Sequence, residues 1–171
     1  MTASHDPADR SGLNLPAPFR MLLLLPVPWV FVLGYLLGLV LERVAPLPLR
    51  WPMLPDVSVV VGLTIFGLGA AIAAWGWATF RVARTTTVPG ATSARMVTWG
   101  PYRFTRNPMY VGLTIAYLGE AVILRHVWPL VLLPLVLAYV DRIVIPLEER
   151  TLAGTFGADY MSYRTQVRRW L

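Results

Sequence analysis

Two long blocks without a formal charge set the terms for this chain. No residue from Met21 to Leu41, and none from about Val57 to Phe80, is charged at neutral pH. Each block reaches the roughly 20 residues a helix needs to cross a bilayer's hydrocarbon. A cleaved signal peptide competes for the first block, but its apolar region usually runs about 7 to 15 residues and ends at a small-residue cleavage site. The chain as a whole is 56% hydrophobic and only 14% charged, against roughly 25% charged residues in soluble globular domains. The apolar excess falls in blocks and not at amphipathic spacing, so lipid is the solvent that suits it. We expect an all-α, polytopic transmembrane helical protein with four spans.

Residues 1–20, with Pro7, Pro16 and Pro18 beside Asp6, Asp9 and Arg10, read as a flexible N-terminal tail. Residues 21–83 hold two transmembrane helices, joined by the charged, proline-bearing stretch from Leu41 to Pro55. Gly34 and Gly38 in the first span, and Gly69, Ala70, Ala73 and Ala74 in the second, are surfaces on which helices approach closely. Residues 84–171 form a second region, in which Met109 to Leu124 is interrupted by Glu120. Val127 to Leu147 carries Pro129, Pro134, Asp141, Arg142 and Pro146. The simplest solution is a C-terminal helical hairpin turning at Arg125 and His126, with Glu120 paired to one of those two. Charged groups within spans are costly and face protein or water, so this hairpin should be partly buried.

The arginines orient the assembly. Arg81, Arg84, Arg95, Arg103 and Arg106 lie in one loop, and Arg150, Arg164, Arg168 and Arg169 follow the last span, whereas the opposite side has Arg43, Arg50 and Arg125. By the positive-inside rule the richer side is cytoplasmic. We expect an integral protein of a bacterial inner membrane, with both termini in the cytoplasm. The net charge of +6 belongs to this pattern of flanking arginines and headgroup contacts, and nucleic acid is set aside as a partner. The chain lacks Cys, and its two histidines, His5 and His126, lie far apart. Thiol chemistry is excluded and no metal site is expected.

Three features should meet at the cytoplasmic face: Gly100-Pro101-Tyr102, then Arg106-Asn107-Pro108-Met109-Tyr110-x-Gly112, then Glu148-Glu149 after the fourth span. Antiparallel packing of the last two spans brings the second and third to one depth. Asn107-Pro108 suits a helix start, with Asn as N-cap and Pro in the first turn. The same helix start offers N–H groups to an anionic ligand group. Glu148-Glu149 opposes the dipole of a helix ending there and suits a cationic ligand group such as an ammonium or sulfonium. If the last span stays helical past Pro146, Asp141 and Glu148 share one face and Arg142 and Glu149 another. A kink at Pro146, or simple neutralisation of Asp141 by Arg142, is the plainer alternative.

With Phe156-Gly157, Tyr160, Tyr163 and Val167-Arg168-Arg169-Trp170, these residues resemble the isoprenylcysteine carboxyl methyltransferase and phospholipid methyltransferase family of integral membrane enzymes over about residues 85 to 171. The resemblance implies S-adenosylmethionine as methyl donor in a cytoplasmic cofactor pocket. It implies contacts from Ala94, Arg95, Met96 and Val97 by backbone, and from Tyr102, Asn107, Pro108, Met109, Tyr110 and Glu148. Arg106, Arg142 and Glu149 are the catalytic candidates, with Arg142 or Arg106 taking over anion binding, and Tyr163 and Arg164 are further candidates. Typical eukaryotic members have His at Asn107 and a substrate-binding Arg at Val144, departures that weigh against a titrating base at Asn107 and against a prenylcysteine carboxylate as substrate. The partners implied are membrane lipids and a lipophilic small-molecule or lipid acceptor. An NADPH-dependent membrane reductase with sterol-reductase-like C-terminal helices, and a non-catalytic membrane interaction protein, remain as other readings.

Overall fold

The computed structural model describes residues 27–49, 51–83 and 96–171. The expected tail at 1–20 and the start of the first block at Met21 lie outside them, as do Ala94 and Arg95. The described residues are helical and contain no strand. Helix α1 is Val27–Val44 and α2 is Pro55–Ala83. A single 3-10 turn, Gly100–Arg103, precedes α3 at Pro108–Leu124. Helix α4, Val127–Tyr139, runs through a π turn at Val140–Val144 into α5, Ile145–Phe156, and α6 is Ala158–Gln166.

Among the described residues, three helices are long and apolar enough to cross a membrane: Val27–Val44, Pro55–Ala83 and the continuous Val127–Phe156. Of the four expected spans, the third corresponds to a shorter apolar helix, α3. Helix α3 has 17 residues, about 25 Å at 1.5 Å per residue, against a hydrocarbon thickness of roughly 30 Å. The last helix also differs from expectation, because it continues beyond Leu147 and carries Glu148 and Glu149 inside it. Pro146 does not end it. The widened π turn comes directly before Pro146, which enters the first turn of α5, where its missing N–H is cheapest to lose.

Glycine decides which helices pair. Gly62, Gly69 and Gly76 of α2 face Gly119 and Ile123, Gly112 and Ala116, and Pro108 and Met109 of α3. Where α3 has Gly112, a Cβ would stand 2.5 Å from the Ala73 backbone nitrogen, so the two backbones touch. Such contact supplies dispersion energy where lipid removes any hydrophobic advantage to association. Gly34 and Gly38 of α1 likewise face Val136 and Pro129 of α4. The core lies between α1, α3 and α4, built from Phe31, Tyr35, Tyr117, Ala121, Leu133, Val136 and Val140. The Tyr35 and Tyr117 rings meet edge to face at 5.0 Å, and the Tyr117 hydroxyl donates to the Pro129 carbonyl at 2.9 Å. The outward faces of α1 and α2 expose Leu33, Leu36, Leu37, Val60, Leu63 and Leu68, as lipid contact requires.

The hairpin turns where expected, at Arg125 in the left-handed region (φ 56°) and at His126. Its carboxylate is different. Glu120 forms no ion pair with Arg125 or His126; the chain leaves the α3 axis at the left-handed residue. Glu42 of α1 serves the turn instead, its Oε2 accepting the Val127 and Trp128 N–H groups at 3.1 Å each. A carboxylate there satisfies two unpaired donors and complements the positive end of the α4 dipole.

Candidate active site

At the far end of the bundle from that turn, the loop before α3 folds onto α2. Gly100 has φ +64°, and a Cβ there would meet the Thr79 side chain at 3.0 Å, so this turn requires glycine. The 3-10 turn then directs Tyr102 inward, where its ring packs edge to face on Phe80 at 5.1 Å. The Tyr163 hydroxyl of α6 donates to the Tyr102 carbonyl at 2.7 Å.

Asn107 occupies the N-cap position of α3 but makes no capping bond. This corrects the expected cap: its amide Nδ2 donates instead to the Arg169 carbonyl at 2.9 Å, and its backbone N–H is taken by Thr105 Oγ1 at 3.2 Å. Pro108 and Met109 pack on Gly76. One turn into α3, the buried Tyr110 hydroxyl donates to Glu148 Oε1 at 2.6 Å, a short charge-assisted bond. The sequence motif and the paired acids, 38 residues apart, therefore meet directly.

Beside that pair lies an ionic cluster. Arg106 Nη1 is 3.2 Å from Glu149 Oε1, with both side chains only 11% exposed. Arg169 grips the same carboxylate by Nε at 3.2 Å and Nη2 at 2.8 Å. Its Nη1 reaches Asp141 Oδ1 at 3.3 Å, and the Trp170 indole donates to that oxygen at 2.8 Å. The π turn explains the register. It adds a residue to the helical circuit, so Asp141 meets Glu149 through one guanidinium, and the expected seven-residue faces do not form. Arg142 is left outside, its side chain 83% exposed and 3.8 Å from Asp141.

These surroundings set the electrostatics. Burial, reinforced by Tyr163 and Glu148, holds the Tyr102 hydroxyl well above the usual tyrosine range. Burial does the same to Tyr163, against the pull of Arg106. Glu149 first, and Asp141 after it, raise the Arg169 guanidinium further. Both oxygens of Glu149 are engaged by arginine, whereas Glu148 has a tyrosine hydroxyl and no cation within 4.0 Å among the described residues. The Tyr102 hydroxyl and Arg106 Nε are buried without a hydrogen-bond partner among them. Buried polar groups left so are expensive, and their place beside Glu148 and Glu149 suits a polar ligand.

Of the expected contacts, Tyr102, Arg106, Asn107, Pro108, Met109, Tyr110, Glu148 and Glu149 gather here. Val97 is buried, Met96 is half-buried, and Ala94 and Arg95 lie outside the described residues. Sequence reasoning gave no site role to Arg169 or Trp170 and placed Asp141 either on one face with Glu148 or as a local partner for Arg142. The one signal for them was their presence in the C-terminal run of the recognised pattern.

A family model for phospholipid methyltransferase matches residues 57–159, from the start of α2 into α6, with the tyrosine–glutamate pair and Arg106–Glu149 inside the match. The chain belongs to that family. No curated protein and no solved structure matches it. Family membership and the three apolar helices together make the chain an integral membrane methyltransferase.

Proposed function

We propose that the protein transfers a methyl group from S-adenosylmethionine to a lipophilic small molecule or lipid at the membrane–cytosol boundary. The observation that carries this reading is Glu148. It is a carboxylate at the end of apolar helices, held by the Tyr110 hydroxyl at 2.6 Å and lacking a cation among the described residues, beside the buried and unpartnered Tyr102 hydroxyl. The methyl donor carries an ammonium and a sulfonium, and it supplies an electrophilic methyl group when bound. Glu148 is the residue to receive positive charge, Tyr110 fixes its carboxylate, and Tyr102 and the backbone at Met96 and Val97 complete the holding surface.

The residues of this chain contribute mainly position and dryness. A methyl transfer needs nucleophile and methyl in line, so orientation and exclusion of water supply most of the rate. Arg106 and Glu149 neutralise each other and fix the loop against α5, and the Nε of Arg106 is left to meet an anionic group of the acceptor. Val144, apolar where a substrate-binding arginine stands in typical prenylcysteine methylating members, favours an acceptor other than a prenylcysteine carboxylate. In this reading α3, at the short end of the spanning range, serves as a fourth span, and both termini face the cytoplasm of a bacterial cell.

Thermal shift of the detergent-purified protein with S-adenosylhomocysteine, and separately with NADPH, tests the reading, because a ligand of the native state alone raises stability by about 2.7 kcal/mol at a hundredfold excess over Kd. S-adenosylhomocysteine alone should shift the transition. Glu148→Ala and Tyr110→Phe should each weaken that shift, with Glu148→Ala the more severe. A shift with NADPH alone would point to a reductase, and no shift with either ligand would leave the methyl-donor assignment without support.

A further inference from the structure

The match to the family ends at residue 159, yet several of the bonds that hold the site come from the four residues after α6. The Arg106 N–H donates to the Arg168 carbonyl at 2.9 Å. The Arg169 carbonyl accepts both Thr105 Oγ1 at 3.1 Å and Asn107 Nδ2 at 2.9 Å. The guanidinium of the same residue bridges Glu149 and Asp141, and Trp170 adds its indole to Asp141. One short segment is thereby stitched to three others: the loop before α3, the π turn, and α5.

We propose that Val167–Trp170 is a clasp that positions the active site, with Arg169 as its positioning residue. The clasp acts in two ways. Its backbone fixes Thr105, Arg106 and Asn107, and by drawing the Asn107 amide away from the capping position it leaves the first N–H groups of α3 without their side-chain acceptor. Its guanidinium holds two carboxylates together. Without Arg169, Glu149 keeps Arg106, whereas Asp141 keeps only the exposed Arg142 at 3.8 Å and the indole. The loop could then move relative to α5, and with it the spacing of Tyr110 and Glu148. The effect on cofactor affinity rests on the function proposed above; the clasp itself does not.

Hydrogen–deuterium exchange on the full chain, compared with Arg169→Ala and Arg169→Lys, separates the two. In Arg169→Ala the segment containing the Arg106 amide should exchange at least about tenfold faster, the loss expected when a charged hydrogen-bonding group is removed. Helix α2 and the middle of α3 should keep their protection. Arg169→Lys, which can satisfy one carboxylate but not both, should fall between. S-adenosylhomocysteine affinity should drop by about tenfold in Arg169→Ala, with partial recovery in Arg169→Lys and on adding millimolar guanidinium. Unchanged exchange at Arg106 overturns the clasp. Uniform loss of protection through α2 and α3 overturns it too, by making Arg169 a general determinant of the fold. Faster exchange with unchanged affinity refutes the positioning role. If the parent protein binds no S-adenosylhomocysteine, the proposed function fails, and the exchange comparison still decides whether the tail is a clasp.

Discussion

Replacing Gly112 by Ala adds one methyl group at a point where two backbones touch, and its consequences reach the active site. The new Cβ would stand 2.5 Å from the Ala73 nitrogen, 2.7 Å from the Gly69 carbonyl oxygen and 2.8 Å from the Ala73 Cβ. The first two are backbone atoms, so no side-chain rotation relieves the clash. Ordinary contact begins at 3.4 Å, so α2 and α3 must separate locally by about 3.4 − 2.5 = 0.9 Å. Overpacking of this kind costs roughly 1–3 kcal/mol. Tyr110 lies two residues before Gly112, and the same displacement would stretch its 2.6 Å bond to Glu148 to about 3.5 Å, the limit of a useful hydrogen bond. The matching control is Gly67→Ala on α2, where an added Cβ meets nothing within 4 Å and helix propensity alone predicts a gain of up to about 1 kcal/mol. Unfolding of both variants in mixed micelles, on titration with a denaturing detergent, should show the first destabilised and the second neutral or stabilised. The first should also bind S-adenosylhomocysteine about tenfold more weakly or worse. Equal stability of the two variants would refute the backbone-contact account of the α2–α3 pair.

Other perturbations address separate parts of the molecule. Glu42→Ala removes the acceptor for the first two N–H groups of α4 and should cost about 1–2 kcal/mol in the same unfolding assay, with Glu42→Gln, whose amide oxygen still accepts, recovering part of that loss; a neutral Glu42→Ala would mean that the 3.1 Å bonds contribute nothing. Arg125→Gly relieves a left-handed residue at φ 56° and should stabilise the hairpin by about 1 kcal/mol; a loss of stability would show that the Arg125 side chain itself matters. Burial raises Tyr102 and Tyr163 above the ordinary tyrosine value of 10.0, so above that pH the unfolded chain releases protons that the folded chain keeps. Their contribution is intact below pH 10 and falls as pH rises beyond it, and Tyr163→Phe should flatten that fall in an alkaline stability profile.

Much of this molecule was legible in the chain because membrane helices advertise themselves. Uncharged blocks, small residues at helical spacing and the placement of arginine are local signals, and they yielded the helical class, small-residue faces on which helices pack and the loop that gathers the site. The meeting of Tyr110 with Glu148 was also foreseeable, since an antiparallel hairpin brings its two open ends to the same depth. Three features lay beyond that reach. The π turn shifts the register of every residue after it by one position, and composition carries no mark of it, so Asp141 was matched to Glu148 and not to Glu149. The capping of α4 by Glu42 joins residues 85 apart, and its choice over Glu120 follows from how α1 packs on α4. The clasp depends on where the chain arrives after α6, and the bonds of Arg169 to Asn107 and Asp141 span 62 and 28 residues. Periodicity and charge patterns describe what a segment does within its own few turns. Which distant carboxylate an arginine finds is fixed only when packing has set the distances between helices.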